Sequence, residues 1–233
     1  MGDIGIEWVY DYTGRPTSGW NNPPNTQANA EGFYNTLNAT RKFAHGDGNA
    51  RDRHFEQAGT GAPKGGSDAA VVETVDMVYF AGHGTPNSFE FGVLGGDDAR
   101  AKPAEIRWGD GRLKWVVINA CHVLYHNDVT NPVIDRWGPA FRGVRYILGF
   151  GSLASDEPDR GRLFAEHLND GDTISEAWQK ACEATEAELD TVWAYLRADG
   201  NGVTTEQDTW IDHADTRNKP NPPGQLYYVH GVC

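Results

Sequence analysis

Short apolar runs alternate along the chain with polar stretches rich in glycine and proline, and the spacing within each run predicts its element. Ile4 to Tyr10, dense in β-branched and aromatic residues, predicts a first strand. A Gly/Pro/Asn loop follows, and Thr26 to Lys42 then places Ala30, Phe33, Tyr34, Leu37 and Arg41 at helical spacing. His45 to Asp68 is polar, with one short edge strand expected near Arg53 to Gln57. Three continuous apolar runs come next: Val75 to Ala81, Leu113 to Ala120 and Val144 to Phe150. Their length suits strands buried on both faces. Between the first two, Ser88 to Val93 and the turn Gly95-Gly-Asp-Asp98 read as a β-ribbon. Pro132 to Phe141 and Arg160 to Asn169 read as short helices.

Thr173-Ile-Ser-Glu176 has the form of a capping box. From there Ile174, Ala177, Trp178, Ala181, Cys182, Leu189, Val192, Trp193 and Leu196 predict one long helix, stopped at Asp199-Gly-Asn-Gly202. Gln225 to Val232 predicts a last strand. Strands alternating with helices give an α/β fold with a mostly parallel central sheet, expected as one domain over residues 1–233.

Charge narrows the function. Acidic residues outnumber basic ones 33 to 20, a net charge of −13, and no basic stripe is present to neutralise phosphates. Nucleic acid is therefore not an expected partner. No apolar stretch reaches the roughly 20 residues of a membrane helix. The opening MGDIGIEWVY lacks a basic segment followed by an apolar one, so no signal peptide is expected, and a soluble, cytoplasmic setting is favoured. Three cysteines, Cys121, Cys182 and Cys233, are too few for a disulfide scaffold. Cys182 falls on the apolar face of its helix and reads as core.

Two strand ends carry reactive groups. Val75 to Ala81 runs into Gly82-His83-Gly84, and Leu113 to Ala120 runs into Cys121. In open α/β sheets reactive groups gather beyond the carboxyl ends of parallel strands. If these strands are neighbours, a base and a nucleophile share one rim, the minimum for covalent catalysis at a carbonyl. The N–H groups of Gly84 and Cys121 are then candidate oxyanion donors. A nearby imidazole is expected to lower the thiol pKa.

An apolar strand ending in His-Gly, followed by one ending in Ala-Cys, resembles the caspase-like (clan CD) cysteine peptidases. Val78-Tyr-Phe-Ala-Gly-His-Gly84 and Val117-Ile-Asn-Ala-Cys121 look most like the CHAT and gingipain-like branches. The likeness covers roughly residues 70 to 182, and the first strand and helix fit the same pattern. It implies a caspase-like three-layer sandwich, Cys121 as nucleophile, His83 as acid/base, and a peptide or protein substrate cut at an amide bond. The caspase pentapeptide Gln-Ala-Cys-x-Gly is absent, since the chain reads Asn119-Ala-Cys-His-Val123, so cleavage after aspartate is not implied. By position, Arg15, Asp128 and Asp156 are candidate substrate contacts, as is Glu157.

Competing readings use other residues. His45-Gly46 repeats the dipeptide but follows a polar segment read as a helix end. His122 and His126, with Asp128, have the i, i+4 spacing of a zinc pair on a helix and would make a metal-dependent hydrolase. No metal is expected in the favoured reading. Calcium stays open as a cofactor, because Gly95-Gly-Asp-Asp98 and Asp199-Gly-Asn-Gly202 offer oxygen ligands, without EF-hand spacing, and some gingipain-like relatives need it. A further alternative is a non-catalytic peptide- or protein-binding domain on the same fold. The G-x-S-x-G elbow and the G-x-G-x-x-G fingerprint are both missing.

Overall fold

A computed structural model describes residues 1–14, 20–62, 65–92, 98–186, 190–211 and 218–233. The first strand, β1 (Asp3–Trp8), leads through a loop into α1 (Thr26–Thr36) and the edge strand β2 (Thr40–Gly46). β3 (Met77–Ala81) is followed by a small ribbon of β4 (Gly84–Thr85), β5 (Ser88–Glu90) and β6 (Arg100–Ala101). Then come β7 (Trp115–Asn119), α2 (Val133–Trp137) and β8 (Tyr146–Phe150). The chain ends with α3 (Arg160–Asn169), α4 (Ile174–Thr185), β9 (Val192–Asp199) and β10 (Gln225–Val232).

Seven of these strands form one sheet in the order β10-β9-β8-β7-β3-β1-β2. The ladders from β2 through β1, β3 and β7 to β8 are all parallel, and β9 is antiparallel to both neighbours. The apolar runs sit in the middle because both their faces are covered. Val78, Phe80, Val116 and Ile118 point into one core with Phe55, Phe89, Trp108 and Trp137. Met77, Tyr79, Trp115 and Val117 point into the other, with Phe33, Phe164 and Trp178 from α1, α3 and α4. Alternation of side chains on a pleated strand produces this division.

Three expectations are corrected. The helix read as Thr26 to Lys42 ends at Thr36: Leu37 is already extended, and Arg41 and Lys42 lie in β2. Asn35 and Asn38 are poor helix formers, and β2 gains a full parallel ladder with β1. The edge strand is therefore β2, whereas Asp52–His54 forms a short 3₁₀ turn. The capping box at Thr173 is present, with Glu176 N–H donating to Thr173 Oγ1 at 3.3 Å and Thr173 N–H donating to Glu176 Oε2 at 3.2 Å. Its helix stops at Thr185, however, and Val192 to Asp199 is a strand. There Trp193 and Tyr195 pack to one side of the sheet, and Ala194, Leu196 and Ala198 to the other. A run of Val, Trp, Tyr and Leu satisfies either period locally, and the open edges of β8 and β10 decide it.

Candidate functional site

The chain direction reverses at β1: β2 is laid down on one side of it, and β3, β7 and β8 on the other. In an open α/β sheet the crevice at such a switch point, beyond the carboxyl ends of the strands, is where ligands collect. β3 ends at Ala81 and β7 at Asn119, and these two residues are partners in the ladder. His83 and Cys121 therefore leave the sheet side by side. Gly82 N–H still donates to the Asn119 carbonyl at 3.2 Å.

Two residues later the segments touch. A Cβ added to Gly84 would lie 2.6 Å from the carbonyl oxygen of Cys121 and 2.9 Å from Ala120 Cβ. Only glycine permits that approach. The His83 carbonyl accepts from Glu90 N–H at 3.0 Å, and Gly84 pairs opposite Phe89. By the alternation of an antiparallel ladder, the Gly84 N–H then turns away from β5.

His83 and Cys121 line one open cleft of about 390 Å³, together with Asn119, Ala154, Asp156 and the residues leading into α1. The two walls are held differently. His83 is packed by the loop after β1: its ring lies 4.7 Å from Tyr12 and 4.3 Å from Trp20 between centroids. Its backbone N–H donates to the Tyr12 hydroxyl at 2.9 Å, and that hydroxyl donates to the Glu90 carbonyl at 3.0 Å. The ring Nε2 lies 2.6 Å from the Asn21 carbonyl. A carbonyl only accepts, so Nε2 carries the proton and Nδ1 holds the lone pair of the neutral ring.

Cys121 is held by the loop after β8. Its Sγ contacts the Ala154 carbonyl at 3.5 Å and accepts from the Ala154 N–H at 3.4 Å. These are the sulfur's hydrogen-bond partners among the described residues, and the imidazole is not one of them. Burial pushes the thiol pKa up, against the lowering effect of the Ala154 N–H. Desolvation outweighs the favourable contacts, and the charges of Glu186 and Arg160 act on the thiol in opposite directions. The resting group is a neutral thiol.

Behind this loop lies a fully buried ion pair, Arg160 with Glu186. Arg160 also donates to Asn119 Oδ1 at 2.8 Å and to the Ser155 carbonyl at 3.2 Å. Glu186 accepts from Ser155 N–H at 2.8 Å and from Thr191 Oγ1 at 3.0 Å. The pair thus ties the loop carrying Ala154 and Asp156 to the end of β7.

Asp156 joins His83 and Cys121 in the cleft. Its carboxyl accepts from Asn25 N–H at 2.8 Å, and burial raises its pKa while the nearby His83 works the other way. Asp128 is not brought there: its Oδ1 accepts from Thr130 N–H, Thr130 Oγ1 and Asn131 N–H in a turn of its own, which lowers its pKa. Glu157 is not among the residues facing the cleft. Arg15 lies outside the described residues.

The zinc spacing fails because residues 121–124 form a turn and not a helix, with His122 at φ 59°. His126 instead stacks on His230 at 4.4 Å. Of the two oxygen-rich loops, residues 95–97 lie outside the described residues, and Asp98 has a ligand oxygen within 4.8 Å of those of Asp52 and Glu56. The Asp199 carboxylate serves Thr205 and Arg197. All three cysteines are free thiols, and Cys182 is buried in the core as expected.

Tyr12, Trp20, Asn21, Ala154, Arg160 and Glu186 were not singled out by sequence. Two aromatics in a Gly/Pro loop just after a first strand were the available signal for the His83 wall. Nothing local marks the Arg160–Glu186 pair, whose members come from separate helices' ends.

The model of a domain of unknown function, DUF6345, matches residues 6–231. The chain belongs to the DUF6345 family. No curated protein matches the sequence. No helix of the described residues is long and apolar enough to cross a membrane. The DUF6345 match spans both walls of the cleft, from β1 to β10.

Proposed function

We propose that this DUF6345 domain is a cysteine peptidase of caspase-like architecture, using Cys121 and His83 on peptide or protein substrates. The observation that carries the reading is their shared cleft at the carboxyl ends of paired parallel strands. In the proposed reaction Sγ attacks the scissile carbonyl carbon, and its proton passes to His83 Nδ1 as the S–C bond forms. The oxyanion is held by the N–H groups of Gly84 and Cys121. Collapse breaks the C–N bond, and the imidazolium returns the proton to the leaving amine. Water then attacks the thioester with His83 as base, and the sulfur leaves.

Because the resting thiol is neutral, its proton is lost only as substrate closes the gap between sulfur and imidazole. Asp156, beside His83, stabilises the imidazolium that results. The Nε2–H donated to Asn21 fixes the tautomer that this step requires.

A fluorogenic peptide-amide library varying the residue before the cut tests the proposal. Cleavage is expected, and Cys121→Ala and His83→Ala should each reduce it by about 10³-fold or more while the circular dichroism spectrum is retained. Activity that survives Cys121→Ala would end the proposal. The neutral thiol favours a second reading, a non-catalytic peptide-binding domain on this fold. That reading predicts peptide binding in the cleft without cleavage.

A further inference from the structure

On β1, the strand next to β3 and one in from the sheet edge, Glu7 is fully buried beside two histidines. Glu7 and His45 are ladder partners on β1 and β2, and His54 reaches in from the 3₁₀ turn that follows. His45 Nδ1 lies 3.1 Å and His54 Nδ1 2.7 Å from one and the same carboxylate oxygen, Glu7 Oε1. The other oxygen, Oε2, accepts from the backbone N–H of Arg51 at 3.1 Å. The His45 ring is fixed by stacking on Phe43 at 5.0 Å, and the two imidazoles are 5.1 Å apart.

A buried carboxylate normally has a cation to offset its desolvation. Here no lysine or arginine side chain among the described residues pairs with Glu7, and its side-chain partners are the two imidazoles. Three donors from three separate segments converge on one point, with the carboxylate oriented from behind by a backbone N–H. That outer hydrogen bond is a regular feature of metal-ligating carboxylates.

We propose that Glu7 Oε1, His45 Nδ1 and His54 Nδ1 bind a zinc-class divalent cation, which ties β1, β2 and the 52–54 turn together. Two imidazoles and one carboxylate suit Zn²⁺ or Co²⁺ and not Ca²⁺ or Mg²⁺. With bonds near 2.0–2.1 Å in a tetrahedral site, ligand atoms stand about 3.3 Å apart. His54 therefore opens by about half an ångström, and His45 by less. The half-exposed His45 leaves a fourth position open to solvent. Two residues past His45, Asp47 Oδ1 accepts from the N–H groups of Tyr10 and Asp11, so the cation braces the root of the loop that packs His83.

The test is a titration of the metal-stripped full chain with Co²⁺, in a Cys121→Ser background that removes the cleft thiol. One equivalent is expected to bind and to give visible d–d absorption without a thiolate charge-transfer band, with a rise in Tm. His45→Ala, at a half-exposed position that tolerates truncation, should weaken binding by more than the roughly tenfold that loss of an outer partner brings. Glu7→Gln should do the same, and His126→Ala at the surface histidine pair should change nothing. No stoichiometric uptake, or uptake that survives His45→Ala, overturns the site. Neither result depends on whether the cleft cleaves peptides.

Discussion

The two walls of the cleft are built on opposite physical principles. The histidine wall is a loop surface: aromatic rings, one tyrosine hydroxyl and one backbone carbonyl hold an imidazole that is partly open to solvent. The cysteine wall is an extension of the core, with Ala154 on the sulfur and a buried Arg160–Glu186 pair behind it. Contacts of the first kind are individually weak and adjustable. Those of the second are costly to form and more costly to break, because each charge has been removed from water. The sulfur is thus held rigidly, and the imidazole is the partner able to adjust when substrate arrives.

Breaking the buried pair should have the largest effect. Arg160→Met leaves the Glu186 carboxylate buried with only neutral donors, Ser155 and Thr191. We expect a loss of about 3–5 kcal/mol in unfolding free energy, measured by urea denaturation. Replacing both partners, Arg160→Met with Glu186→Leu, should recover much of it, since no charge is then stranded. A single-variant loss below about 1 kcal/mol would mean the pair is not closed to water.

The same contrast explains what could be read from the chain. Strands β1, β3, β7 and β8 were legible because residues buried on both faces leave unbroken apolar runs. The two strand ends with His83 and Cys121 followed directly. β2 was missed because an edge strand of composition TRKFAHG carries little apolar signal. β9 reads locally as helix because its alternation is blurred by central burial, and strand pairing is not a local property. Arg160 and Glu186 are 26 residues apart and meet only through the packing of α3 on α4. The thiol pKa is hard to read for a related reason: sequence shows that an imidazole is near but not how much water burial removes. His45, which by sequence follows a helix end, lies instead in β2 and turns to Glu7.

A smaller effect should come from the point where the walls meet. Gly84→Ala places a methyl 2.6 Å from both the Cys121 carbonyl oxygen and Val123 Cγ1. Neither strand can retreat far, so we expect about 1–3 kcal/mol of destabilisation from overpacking. Peptide-amide cleavage should fall further than stability does, because the shift is transmitted to Cys121. Gly48→Ala meets nothing within 4 Å and serves as the neutral comparison. Equal behaviour of the two variants in thermal melts would show that the segments are not in contact.

The smallest expected change concerns the histidine wall alone. Tyr12→Phe keeps the ring against His83 and removes only the hydroxyl between the His83 N–H and the Glu90 carbonyl. With the stacking retained, the loss should be about 1–2 kcal/mol, the net value of two hydrogen bonds, kept low because the part-buried N–H can recruit water. The thiol is not touched, so the iodoacetamide reaction of Cys121 should keep its pH profile, still rising above the usual thiol range because burial holds the pKa up. His83→Ala should leave that profile unmoved as well, since the imidazole does not bond the resting sulfur. A profile that shifts to higher pH in either variant would show that the histidine already draws on the thiol before substrate binds, and the two walls would then act as one.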